Sequence, residues 1–192
     1  MLKDLFISKT RVKLLEEFLS DPSQMFHVRD LVRRVDEEIN AVRRELLHLE
    51  EAGVVKKEQR GNRLYYWFRK DYPLYQDLLS MIAKTTGLGY ALLKNKSKLG
   101  HLNIVMFSGK FVRHEPRKKP DDVDVLVVGE VNINELNALI HEEEQKRGAT
   151  INYTPMTTEE LKFRRTRRDP FLLSILTNSR FLIVGDEEDL TA

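Results

Sequence analysis

Three aspartates, Asp121, Asp122 and Asp124, stand at the head of an apolar run, Val125-Leu126-Val127-Val128-Gly129. On a strand, residues i and i+2 share a face, so the carboxylates of Asp122 and Asp124 would point at one spot. Two such acids can hold Mg²⁺ bearing the phosphates of a nucleotide. An isolated Asp-x-Asp also marks the solvated start of many strands, so the pair alone decides nothing. Asn40, Arg43 and Arg44 offer a different chemistry, as do Arg60, Asn62 and Arg63. Asn pairs bidentately with adenine and Arg with guanine, while basic groups on phosphate position a protein without reading sequence. For a lone Arg-Arg pair, ordinary solvated charge is the alternative.

The elements that must carry these residues follow from periodicity. Ser8 is a plausible N-cap for a helix with Val12, Leu15, Phe18 and Leu19 at helical spacing, stopped by Asp21-Pro22. A shorter helix spans about Val28 to Val35. Asp36 is expected to cap a third, which runs to Ala52 and ends at Gly53 as a left-handed residue. Its apolar stripe is Ile39, Val42, Leu46 and Leu49, which puts Asn40 and Arg44 on the outward side with Arg43 beside them. Val54-Val55 begins a strand and Leu64 to Phe68 is another, with Arg60-Gly61-Asn62-Arg63 as the hairpin tip. Three helices followed by a basic hairpin is the order of a winged helix-turn-helix, whose third helix enters the major groove.

The second half alternates strands and helices. Leu102 to Phe107, Val123 to Val128, Thr150 to Met156 and Phe181 to Val184 read as strands. Asn134 to Arg147 is a helix, and Thr157 with Glu160 fits a capping box opening another. The reading is a two-domain α+β protein: a winged helix over 1–70, connecting helices over 71–98, and a domain over 99–192 with about four strands and helices on one side.

Composition narrows the classes. The 192 residues are 41% hydrophobic and 32% charged, enough apolar content to build cores. The absence of cysteine excludes disulfides, thiolate metal sites and cysteine nucleophiles, and five scattered histidines make no metal cage. No apolar run or leader-like segment suggests a membrane, so the expected location is cytoplasmic. Residues 1–86 carry 16 Lys+Arg against 14 Asp+Glu and residues 87–192 carry 16 of each, so neither half is strongly basic. Between Gly53 and Lys70, however, six basic residues face one acid, Glu58. Arg164-Arg165 and Arg167-Arg168 form a second basic cluster, open to DNA, a nucleotide, a partner or solvent alone.

Two resemblances add to this. Leu5 to Arg11, His27-Val28-Arg29-Asp30-Leu31 and Val42-Arg43-Arg44-Glu45-Leu46 resemble ArsR-like winged-helix transcriptional regulators over about residues 1–70. The metal-sensing cysteines of that family are missing. From about Leu99 to Gly185 the chain is similar to polymerase-β-like minimal nucleotidyltransferases: a strand leads to Ser108-Gly109, where the family has a Gly-Ser phosphate turn, and a loop leads to Asp122 and Asp124. The resemblance implies Mg²⁺ and a nucleoside triphosphate as cofactors if this domain is active. The turn is inverted, and the position of the family's third carboxylate is Asn152, an amide that cannot act as general base.

The expected function is a regulator that binds double-stranded DNA as a homodimer, its second domain inactive and regulatory or dimerising. The rivals are a Mg-dependent, antitoxin-like nucleotidyltransferase acting on a protein or small molecule, in one form with a separately encoded partner protein, and a winged helix that has become a protein-interaction module.

Overall fold

The computed structural model describes residues 7–191. Leu5 and Phe6, part of one resembling segment, lie outside them. The chain divides into two compact units, one up to Thr85 and one from Thr86.

The first unit starts with helix α1 (Lys9–Ser20), for which Ser8 is the cap: its side chain accepts from the Arg11 N–H. A two-residue strand β1 (Phe26–His27) leads into α2 (Val28–Val35) and α3 (Ile39–Glu51). Strands β2 (Val55–Arg60) and β3 (Arg63–Phe68) form a hairpin, and α4 (Tyr75–Thr85) closes the unit. The sheet is antiparallel in the order β1-β3-β2, with Phe26 opposite Tyr66 and Arg60 opposite Arg63. Alternate residues Tyr66 and Phe68 turn inward onto a core of Leu14, Phe18, Leu31, Val42 and Leu46. Phe18 meets Phe26 edge to face at 5.6 Å, which ties α1 to the short strand.

Asp36 does not cap α3. It sits in the left-handed region (φ 49°) at the end of α2, where the chain must reverse within a few residues, and Asp tolerates that conformation better than most side chains. Helix α3 begins three residues later, behind Glu38, with no side-chain cap. Its other end matches expectation: the Gly53 N–H donates to the Glu50 carbonyl and the Val54 N–H to that of Leu49, with Gly53 at φ 71°.

The second unit carries helices α5 (Gly87–Lys94) and α6 (Lys96–Leu99), strand β4 (Gly100–Ser108), the short α7 (Gly109–Val112) and β5 (Val125–Val131). Helix α8 (Ile133–Arg147) crosses to β6 (Tyr153–Met156). Then come α9 (Thr158–Thr166), α10 (Pro170–Leu176), β7 (Arg180–Val184) and α11 (Glu187–Thr191). The sheet order is β6-β5-β4-β7, with β5 and β6 parallel and the other pairs antiparallel. The parallel pair requires a crossover, which α8 supplies. Thr157 accepts from the Glu160 N–H, and Asp169 caps α10 with Pro170 at its first turn.

The expectation of helices on one side only is corrected. Ile104, Met106, Leu126 and Val128 pack with Leu161, Leu172, Ile175 and Leu190 from α9, α10 and α11. The alternate residues Val105, Phe107, Val125 and Val127 are buried just as fully, and Phe107 packs edge to face on Phe111 of α7. A strand with an unbroken apolar run, such as Val125 to Val128, is covered on both faces.

One buried carboxylate fastens α3 to α1. Glu45 accepts from the Ser8 hydroxyl and from Arg11 Nε, both at 2.8 Å. Burial disfavours its ionised form, but the Ser8 hydrogen bond and the Arg11 guanidinium outweigh that and hold its carboxyl below the usual glutamate value. With the folded pKa depressed, this stabilisation is complete above the unfolded value of about 4.3 and is lost as pH falls through the folded one. Glu45→Gln is expected to cost ~1 kcal/mol at pH 7 and to flatten the acid side of the stability profile. Trp67, the single tryptophan, lies on β3 and reports the first unit. Urea midpoints followed by its fluorescence between pH 7 and 3 check this, and parallel profiles for parent and variant would contradict it.

Candidate functional sites

Helix α3 presents two faces. Val42, Glu45, Leu46 and Leu49 are buried, and Asn40, Arg43, Arg44 and His48 are exposed. Arg43 and Arg44 have no carboxylate partner among the described residues. Of the acids at the leading end, Glu37 is taken up by Lys13 at 2.7 Å, and that hydrogen bond keeps its carboxyl below the ordinary range. Its charge is thereby offset locally. Leu47, an outward residue left out of the sequence reading, is 49% exposed beside the arginines. Its spacing, four residues after Arg43 and three after Arg44, was the available signal.

The hairpin tip is a two-residue turn. Gly61 has φ 58° and Asn62 does not have a positive φ, the pattern of a II′ turn. Asn62 and Arg63 are exposed. Arg60 is exposed as well; it bonds Glu58 at 3.0 Å, and its guanidinium lies 5.7 Å from the centre of the Tyr65 ring.

In the second unit, Ser108, Gly109, Asp122 and Asp124 line one cavity of about 260 Å³. The two acids reach it differently from the sequence expectation. Strand β5 starts at Val125, and Asp122 lies in a turn closed by its own N–H to the Lys119 carbonyl. Asp122 accepts from Lys110 Nζ at 2.9 Å and from the N–H groups of Lys118 and Lys119. The Lys110 hydrogen bond, aided by these amides, lowers its pKa against the effect of burial. Asp124, 5% exposed, accepts from Arg117 at 2.7 Å and from the Asn152 N–H at 2.9 Å. Asn152 spends its side-chain amide on the Pro120 and Asp122 carbonyls, pinning the loop.

The turn between β4 and α7 is also satisfied internally. The Ser108 hydroxyl accepts from the Phe111 N–H, and the Gly109 N–H donates to the Ser179 carbonyl at 2.7 Å. A Cβ on Gly109 would lie 2.0 Å from Ser179 Oγ, so glycine here serves close packing. Lys110, Arg117 and Ser179 were missed by the sequence reading. The signal for the first two was the near balance of basic and acidic residues between 110 and 124, which suits internal pairing.

No protein-family model matches the chain. No curated protein matches it. Among solved structures, one that resembles it in part is reduced HlyU from Vibrio cholerae N16961, at 18% identity over 44% of this chain and 80% of that one, with a TM-score of 0.34. Another is a possible transcriptional regulator from Methanosarcina mazei Go1, at 17% identity over 50% of this chain and 82% of that one, also with a TM-score of 0.34.

The sign of a stability change distinguishes a cation-locked acid pair from a bare metal pair. Two acids held for a metal repel each other without it, so removing one stabilises the protein. Here Asp124→Ala strands Arg117 and the Asn152 N–H, and a loss of about 2 kcal/mol is expected. Asp122, more exposed, should cost about 1 kcal/mol or less. Amide hydrogen exchange of the second unit checks both, and an increase in protection for either variant would contradict the assignment.

Proposed function

We propose that the protein is a DNA-binding transcriptional regulator whose first unit is a winged helix-turn-helix. The observation that carries this reading is the outward face of α3: Asn40, Arg43 and Arg44 stand in solvent while the opposite face is locked into the core. In that arrangement α3 enters the major groove, Asn40 and Arg44 address base edges, and Arg43 reaches base or backbone. Arg60, Asn62 and Arg63 at the hairpin tip meet phosphates, Arg60 oriented by Glu58 and Tyr65. A homodimer reading two half-sites is part of the proposal, because such readers pair symmetric sites.

The second unit is proposed as a nucleotidyltransferase-like domain that no longer transfers nucleotides. Support comes from its strand order, with an antiparallel pair followed by a parallel crossover, and from the fate of its acids. The residues do not fit a bound Mg²⁺: Asp122 and Asp124 already face fixed cations, and the third position, Asn152, is a neutral amide engaged with the loop. No chemical step is assigned to it, and its role is regulation or pairing of copies. Among the described residues no helix is long and apolar enough to cross a membrane.

Arg44→Ala should reduce discrimination between selected and random duplexes by roughly 1–3 kcal/mol. Arg63→Ala should weaken binding to all duplexes alike and lower the slope of log affinity against log salt by about one. Fluorescence anisotropy titrations from 50 to 200 mM KCl read both. If both variants bind both duplexes as tightly as the parent, α3 and the hairpin do not read DNA.

A further inference from the structure

The corner between α9 and α10 holds the arginines of the second unit that have no acid. Arg113 pairs with Glu115, Arg117 with Asp124, Arg147 with Glu143, Arg164 with Glu160, and Arg180 with Glu187. Arg165, Arg167 and Arg168 have no carboxylate partner among the described residues. Arg167 and Arg168 are exposed, and the Arg167 guanidinium stacks 4.5 Å from the centre of the Phe163 ring, itself 57% exposed. Stacking holds the planar fork in place while leaving its donors free.

Arg168 adds an independent observation. The Arg168 N–H donates to the Arg165 carbonyl and the Asp169 N–H to that of Arg164, the same closure that ends α3. In α3 the left-handed residue is Gly53 at φ 71°; in α9 the same place is filled by Arg168 at φ 52°. A long side chain with a Cβ is disfavoured in that conformation, where glycine is free of the cost. Favourable placement of a cation at a helix C-terminus explains basic residues in the last turn, but any of the helical positions would serve it without strain. An unpaired cation kept where glycine would be more stable points to the side chain's use.

We infer that this corner is a DNA-backbone contact of the second unit, in which Arg165, Arg167 and Arg168 take phosphates. The inference rests on the reading of the protein as a DNA binder. Guanidinium groups match phosphate geometry, and three cations without counter-acids complement a polyanion without needing a particular sequence. The contact is therefore one of affinity, not of specificity.

The test uses the full chain and a random-sequence duplex. Arg167→Gln/Arg168→Gly should lower the salt slope by about two, at roughly 0.9 per lost phosphate contact. Lys96→Gln/Lys98→Gln removes the same charge from exposed positions on α6 and should leave the slope near that of the parent. Arg168→Gly alone should raise the melting temperature while weakening DNA binding, an opposition that a purely structural arginine would not produce. An unchanged slope in the arginine double variant, or an equal fall in the lysine control, overturns the proposal. The two levels fail separately: if Arg44→Ala loses discrimination while the corner variant binds normally, only the corner contact is wrong. If the corner variant weakens binding while Arg44→Ala changes nothing, the contact stands and the reading of α3 falls. A parent that binds no duplex overturns both.

Discussion

The rotation of α3 about its own axis is set by its apolar stripe, Val42, Leu46 and Leu49, and fastened at the edge of that stripe by one buried carboxylate. Glu45 lies next in sequence to Arg44, and its two oxygens are taken by Ser8 and Arg11 at the start of α1. With that stripe and Glu45 held inward, the helical period leaves Asn40, Arg43, Arg44 and Leu47 on the outward side. Ser8 does two jobs in this arrangement, since the hydroxyl that donates to Glu45 also accepts from the Arg11 amide as the cap of α1. A polar contact in a core must be fully satisfied to be tolerated, and one that is satisfied specifies orientation as well as position. The outward side of the helix is thus set from behind.

The second unit shows the opposite use of charge. Lys110 and Arg117 lie on the acids that a nucleotidyltransferase would keep for metal, Asn152 ties down the loop between them, and the Gly109 amide is turned to Ser179. Each contact is modest for a part-exposed pair, but together they close a long loop onto the end of the sheet. These contacts give the loop order. The same unit leaves three arginines at its α9 corner without a carboxylate partner among the described residues, so its charges are paired at the cavity and unpaired at the corner.

Much of this was legible in the sequence, for reasons that differ by element. Helix α1 and the hairpin tip declared themselves through local rules, a serine cap and a Gly-Asn turn, which need no tertiary partner. Asp36 misled because aspartate serves equally as an N-cap and as a left-handed residue, and only the reversal between α2 and α3 decides which. Strand β1 has two residues and exists through its pairing with Tyr65 and Tyr66, so no periodicity announces it. The placement of Asp122 on a strand failed because its turn is stabilised by Lys110 and two amides brought in by loop closure, contacts invisible to spacing along the chain. The outward face of α3 was readable because a long amphipathic helix carries its own geometry.

The central claim is that α3 reads DNA sequence independently of any nucleotide chemistry in the second unit. Selection of bound duplexes from a random pool, run with and without Mg²⁺ and nucleoside triphosphates, tests it most directly. The account predicts enrichment of one short motif, the same in both conditions. A pool that stays random, or a motif that emerges only when Mg²⁺ and a nucleoside triphosphate are present, would contradict it.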